Sequence, residues 1–368
     1  MLSFGPSEEQ QLIQSTARDF AGAQMRPNAL AADEENALAP GFLERAWELG
    51  LAVGAIPEAH GGAGMPRSAV TGALICEELA FGDLAHALAM LAPALVAYPI
   101  VDYGTAAQKE KLLPAFTGSA VPRATAAVVE PTMDWDPAAM TVTAERRGGD
   151  YVLTGRKCFV PLGSSAEMYL VYAAEGGAGL DRVQGFLIPR SAKGMSVGEK
   201  EKNMGIRGLD TVELELDGVS VAADARLGGE AGCNFEKITS YSRVALAAMA
   251  VGVARAAFEH SRDYAKERKA FGEPIAAKQA IAFMIAEMAI EIDSARLLVW
   301  EAAWRLDRGE IATKESYLAK LYADTMALKV TDNAVQAMGG HGYIRENPVE
   351  GWLRHARGFP MFDGLTTV

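Results

Sequence analysis

The chain has 368 residues, half of them hydrophobic, with 47 acidic against 35 basic residues and a net charge of −12. That length and apolar content can build two or three domains sharing a large buried surface. The acidic balance argues against a nucleic-acid partner, which demands a basic face. Three cysteines, Cys76, Cys158 and Cys233, stand far apart with no CxxC pair. They argue against a disulfide framework and a zinc site and point to a reducing, cytoplasmic compartment. No stretch reads as a membrane span, since a charge or Pro falls in each apolar window, and residues 1–9 lack the positive start of a signal peptide.

Taken in order, Ser7-Glu8-Glu9-Gln10 spells a capping box and predicts a helix with Ile13, Ala17 and Phe20 on one face. Helical spacing continues through 42–50 and 70–80. Thr105 and Gln108 form a second capping box, whose helix reaches Leu113 and is stopped by Pro114. The Gly-rich run 57–62 lacks the Lys-Ser/Thr of a phosphate loop and reads as a turn. From Ala124 the period falls to two, with strand-like runs at 124–130, 141–147, 151–154, 168–172, 186–189 and 212–216. Gly148-Gly149 and Asp217-Gly218 read as hairpin punctuation. From Asn234 the period returns to 3.6. One helical stripe carries Ile281, Ile285, Met288, Ile292, Ala295 and Val299, and a second carries Leu318, Leu321, Thr325, Leu328, Asp332, Val335 and Met338. Two such stripes in succession predict a helical bundle, with a face able to bury a subunit interface. The expected domains are 1–122, 123–229 and 230–368.

Two stretches could carry chemistry. The run 262–272 ends a helix with cations and a Gly stop. It reads either as charge complementation of a helix C-terminus or as an anion site built on the Arg268 fork. With Gln279, Gln336, Gly339 and Gly340 it could form one side of a diphosphate pocket, because glycines let backbone N–H groups approach phosphate. The second is Met361-Phe362-Asp363-Gly364, where Asp-Gly is locally an ordinary turn signal.

The runs 53–64, 151–157, 203–211, 264–275 and 335–343, in the right order along the chain, resemble the acyl-CoA dehydrogenase family over essentially the whole chain. The resemblance implies an α+β multidomain fold: an N-terminal α-helical domain, a middle β-barrel and a C-terminal four-helix-bundle domain. It also implies FAD, an acyl-CoA thioester substrate, an electron-transfer flavoprotein as partner and a tetramer. In the family a carboxylate takes the α-proton while flavin N5 takes the β-hydride, and two hydrogen bonds to the thioester oxygen stabilise the enolate. The family's aromatic-Glu-Gly-Thr motif reads Phe362-Asp363-Gly364-Leu365 here, so the base carries over to Asp363. The alternative acid position is Ser242, which supplies no base. Arg243 beside it is a candidate for substrate positioning or for a helix-surface ion pair. Asp is one methylene shorter than Glu, and a displacement of about 1 Å can cost on the order of a hundredfold. A branch that oxidises nitroalkanes nevertheless uses Asp.

The resemblance divides the cofactor residues into two sets. The set that a neighbouring subunit donates is intact: Arg268, Phe271, Ile275, Gln279, Gln336, Gly339 and Gly340. The chain's own set departs, with Val129 in place of Thr, Asp134-Trp135 in place of Gly-Ser, Phe159-Val160-Pro161 in place of Trp-x-Thr, and Leu365 in place of Thr. Drift within a homotetramer explains this. So does an α2β2 heterotetramer with a second acyl-CoA dehydrogenase-like chain, as in steroid side-chain degradation. Three functions stay open: acyl-CoA dehydrogenation, a nitroalkane-oxidase-like oxidation, or a non-catalytic subunit completing a partner's FAD site. The family usually continues past the position of Val368 through another glutamine-bearing stretch and helix, so the resemblance does not carry over the cofactor contacts of that stretch.

Overall fold

Periods of 3.6, two and 3.6 again divide the chain into three blocks. The computed structural model describes residues 5–368, so the signal-peptide reading rests partly on residues 1–4, outside the described ones. The first block is helical: α1 (Glu8–Phe20), α2 (Ala29–Glu35), α3 (Phe42–Glu48), α4 (Ala69–Gly82), α5 (Leu84–Leu91), α6 (Ala94–Tyr103) and α7 (Ala106–Leu112). Both capping boxes form, at Ser7/Gln10 and Thr105/Gln108. Pro114 does not stop the chain's turning, because its fixed φ suits the 3₁₀ turn Leu113–Phe116 that continues α7. The stretch Leu84–Tyr103 is long and apolar enough to cross a membrane, and so is Phe235–Glu267. They qualify by length and composition alone, and neither is a strong candidate span. They are 94% and 83% buried in the fold, which makes them core helices.

The second block is one seven-stranded sheet, β1 (Ala124–Ala127), β2 (Thr143–Arg147), β3 (Asp150–Pro161), β4 (Met168–Ala174), β5 (Val183–Pro189), β6 (Met195–Lys200) and β7 (Thr211–Ala222). Its order is β1-β4-β2-β3-β7-β6, with β5 on β4. Residues from all seven strands meet in one core, including Ala127, Ala144, Leu153, Val171, Phe186, Val197 and Leu214, so the sheet is barrel-like. Gly148-Gly149 does close a hairpin between Arg147 and Asp150. Asp217-Gly218 does not: it lies inside β7, where Gly218 at φ 63° accompanies a register shift against β3. A glycine at positive φ serves a bulge as readily as a turn. Strand β6 went unforeseen because its apolar alternation is only Met195 and Val197 long, and neither is fully buried.

The third block holds α8 (Phe235–Glu267), the short strands β8 (Lys269–Ala270) and β9 (Glu273–Pro274), then α9 (Gln279–Asp307), α10 (Thr313–Met338), α11 (Gly340–Tyr343) and α12 (Val349–Ala356). Gly272 is not the stop of α8. It and Phe271 sit at φ 88° and 54°, making the two-residue turn between β8 and β9. The α9 stripe buries Met288, Ile292, Ala295 and Val299 as expected. The α10 stripe is the wrong face: Leu318 and Leu321 are 45% and 52% exposed. Its buried side is Ala319, Ala323, Ala327, Val330, Ala334 and Ala337. Small side chains let α10 approach α8 closely, so the larger leucines turn outward.

One buried cluster joins the three blocks. Asp83 caps α5 through the His86 N–H and also accepts from His86 Nδ1 at 2.7 Å. Its other oxygen meets His355 Nε2 of α12 at 3.3 Å. His355 Nδ1 accepts the Ile206 N–H at 2.9 Å, so its proton belongs on Nε2, facing Asp83. Burial raises the Asp83 carboxyl, but the two imidazoles outweigh it and hold the carboxyl well below its usual range.

Candidate active site

Asp363 is not on a surface turn. It is 9% exposed, and the Gly364 N–H beside it is pinned to α8 by Ser242 Oγ at 3.1 Å. Gly364 is required here: its φ is 64°, and a Cβ would stand 2.4 Å from Val128 of the segment after β1. Arg243 is no surface residue either. Its Nη2 lies 3.9 Å from Asp363 Oδ2 with only 11% of the side chain exposed, and its guanidinium stands over the Tyr317 ring. Burial pushes the Asp363 carboxyl up, while Arg243 and Lys320 pull it the other way. Lys320 is itself paired with Asp324 at 2.7 Å and donates to the Phe359 carbonyl. Burial likewise raises Asp324.

A cavity of about 20 Å³ adjoins Asp363, walled by Leu95, Pro99, Val128, Tyr172, Ser242 and Thr367 among others. Asp363 Oδ1 and Tyr172 OH are both buried without a hydrogen-bond partner. Unpartnered buried oxygens call for a ligand or a water, and this volume holds about one water. Sequence reasoning missed Tyr172, which reads as one more apolar strand residue. Lys320 and Asp324 were missed too, although two opposite charges four apart on a buried helix face could have flagged them.

The second set of predicted residues converges elsewhere. Arg268 closes α8, and its carbonyl accepts the Ile275 N–H at 2.9 Å. One turn earlier, Tyr264 OH meets His341 Nδ1 at 3.1 Å, which ties the end of α8 to the segment after Gly340. Arg268, Gln279, Gln336, Gly339 and Gly340 are all exposed, Ile275 is half-buried and Phe271 is 96% exposed. Nothing lies within 4 Å of where a Cβ on Gly339 or Gly340 would stand. Between Ser242 and Arg268, α8 runs roughly 39 Å at 1.5 Å per residue. The structure thus does not bring the two sets together within one chain.

Donor chemistry separates the residues that suit FAD from those that do not. The chemistry around Arg268 suits a diphosphate: an exposed guanidinium fork at the end of α8 and open glycine backbone at the end of α10. The barrel residues fit the flavin ring poorly. The Phe159 N–H is already taken by Glu201 Oε1 at 3.1 Å, and its ring meets Phe362 edge-on at 6.1 Å. Val129 is buried and offers no hydroxyl; its carbonyl accepts the Cys158 N–H at 2.9 Å. Pro161 has no N–H. Next to Val129, Glu130 is a structural node whose oxygens are filled by Thr141, the Val142 N–H and Lys157.

Known proteins share the three-block architecture. Residues 7–119, 125–219 and 235–368 match, in turn, the N-terminal, middle and C-terminal domains of the acyl-CoA dehydrogenases. A cyclohex-1-ene-1-carbonyl-CoA dehydrogenase of Syntrophus aciditrophicus is 35% identical over 98% of this chain and 88% of its own length. The solved butyryl-CoA dehydrogenase of Megasphaera elsdenii superposes with a TM-score of 0.88 at 30% identity, covering 98% of this chain and 96% of that one. An FAD complex of PigA superposes at 0.89 with 25% identity, covering 98% and 95%. The chain therefore belongs to the acyl-CoA dehydrogenase family, FAD-dependent oxidoreductases with this helical, barrel and helical architecture.

Proposed function

We propose that the chain is a subunit of an FAD-dependent acyl-CoA dehydrogenase in which Asp363 removes the α-proton of an acyl-CoA thioester. The observation that carries this reading is the buried, unpartnered Oδ1 of Asp363, a residue that lines a small cavity. A carboxylate desolvated in this way is a stronger base than one in water. Arg243 and Lys320 keep the charged form accessible, and Ser242 fixes the peptide that carries it. FAD, when bound, supplies the acceptor for the β-hydride, and an electron-transfer flavoprotein would then receive the electrons. The cavity must widen for an acyl group. The three-part division at 122/123 and 229/230 belongs to this reading.

We further propose that FAD lies between chains, its diphosphate held by one chain's Arg268, Phe271, Ile275, Gln279, Gln336 and Gly339-Gly340 face and its ring by another chain's barrel. The roughly 39 Å of α8 between the two sets in one chain supports this. So does the exposed apolar stripe Phe283, Ile290, Leu297 and Trp304, at seven-residue intervals on α9, a face suited to another helix. The poor ring donors at Val129, Phe159 and Pro161 favour a second reading. In it, this chain completes the flavin site of a different, acyl-CoA dehydrogenase-like chain in an α2β2 assembly acting on a bulky, steroid-like thioester. Flavin counted per chain decides: one FAD per chain in the protein expressed alone supports the homotetramer, and one per two chains, only after co-expression, supports the heteromer. Oxygen-coupled turnover of a nitroalkane with no response to acyl-CoA would sink both.

A further inference from the structure

The segment that presents Asp363 is fastened on both sides. After it, Ser242 Oγ accepts the Gly364 N–H at 3.1 Å. Before it, Lys320 Nζ donates to the Phe359 carbonyl at 2.9 Å. Phe359 opens the 3₁₀ turn Phe359–Met361, and the Phe362 N–H closes that turn on the Gly358 and Phe359 carbonyls at 3.2 and 3.1 Å. The same Nζ donates to Asp324 Oδ2, one turn further along α10, at 2.7 Å. Lys320 and Asp324 are only 9% and 7% exposed, so their charges act in a poorly screened interior. Asp324 Oδ1 is buried with no hydrogen-bond partner. Burial raises the Asp324 carboxyl, Lys320 opposes the rise and Asp363 adds to it. Asp363 is likewise raised by burial and lowered by Arg243 and Lys320. Two buried carboxyl groups thus compete for one lysine.

We propose that Lys320 is a positioning residue for the base: it anchors the turn that carries Asp363 to α10 and lends Asp363 its positive charge, while Asp324 limits how much of that charge the base feels. This rests on the reading of Asp363 as the base given above. The other elements around Asp363 contribute Arg243 of α8, stacked over Tyr317 of α10, and Tyr172 of β4, whereas Leu95 and Pro99 of α6 bring no charge. Lys320 is set apart from these because it holds the backbone of the turn as well as acting through its charge. Two opposite effects follow. Without the charge of Lys320, the Asp363 carboxylate loses an attraction and takes up its proton at higher pH. With Asp324 made neutral, the competing carboxylate is gone and the whole charge of Lys320 acts on Asp363, which then takes up its proton at lower pH. A pair that merely filled the interior would not move the base in opposite directions.

The test titrates Asp363 by infrared difference spectroscopy in the flavin-loaded assembly without substrate, its carboxyl band being the one that Asp363→Asn lacks. In Lys320→Gln, which keeps a donor for the Phe359 carbonyl, the band should titrate at higher pH than in the native protein. In Asp324→Asn it should titrate at lower pH. Lys320→Met, with no donor, should also exchange the Phe362 amide proton about fivefold faster than Lys320→Gln, as expected for one lost hydrogen bond. Asp324→Asn is nearly isosteric and covers the case in which the lysine variants fail to fold. An unmoved band, or shifts of the same sign in Lys320→Gln and Asp324→Asn, overturns the inference, as does equal Phe362 exchange in Lys320→Met and Lys320→Gln. If Asp363→Asn turns over like the native assembly, the reading of Asp363 as the base falls and takes this inference with it. If Asp363→Asn loses turnover and the opposite shifts are missing, this inference alone falls.

Discussion

The crevice at Asp363 and the face at Arg268 are opposites in the same chain. The first is buried and closed, and it is assembled from all three blocks: Val128 from the barrel side, Leu95 and Pro99 from α6, and Ser242 from α8. The second is open, built from the end of α8 and the segments around α9 and α10, with its guanidinium and glycines turned to solvent. A site whose walls are all present is tuned by burial. A site that is all surface gains a function only when something covers it. The difference fits the proposal that this chain is half of a cofactor site in two senses, ring side and diphosphate side, with the two halves serving different FAD molecules.

Breaking the closed region should have the largest effect. Asp363→Asn in the fully assembled, FAD-loaded protein should lower turnover on the order of 10³-fold, the range for a general base, with flavin content unchanged. Unchanged turnover would place the base in another chain. Breaking the open region should have a different signature. Arg268→Met should weaken FAD retention roughly ten- to a hundredfold, the loss of a charge-assisted hydrogen bond, read from the flavin absorbance after gel filtration. Acyl-CoA affinity should stay the same.

The pH dependence separates the regions again. Burial raises the Asp363 carboxyl in the folded chain, so the active carboxylate appears only as pH climbs through that raised value, and the rate should fall on the acid side at a pH above the usual aspartate range. The stability sign is opposite. A raised folded value favours the protonated fold, and that contribution is present at low pH and lost as pH rises through it. Asp363→Asn should remove both dependences in rate and unfolding profiles. The smallest effect is expected from Val129→Thr. If this barrel holds a flavin ring, the new hydroxyl finds a partner and FAD binds a few-fold tighter, about 1 kcal/mol. If it does not, a buried unpaired hydroxyl lowers the unfolding midpoint with no gain in flavin.

Much of this was legible in the sequence where local chemistry decides. The capping boxes at Ser7 and Thr105, the Gly148-Gly149 hairpin and the α9 stripe rest on interactions a few residues long. The failures have tertiary causes. Leu318 and Leu321 looked like core because leucine is apolar, yet the alanines opposite them win the interior by letting α8 come near. Asp217-Gly218 looked like a turn because a bulge needs the same glycine. Asp363 read locally as a turn, and only its place in the whole chain pointed inside.

The outward stripe on α9 has a practical consequence. If these apolar side chains are covered only by another chain, the assembly obeys mass action, and its apparent stability depends on protein concentration. Dilution would strip the flavin and uncover Phe283, Ile290, Leu297 and Trp304 together, so a preparation that loses activity when dilute should regain it on concentration with second-order kinetics, provided the separated chains have not first clumped through that face.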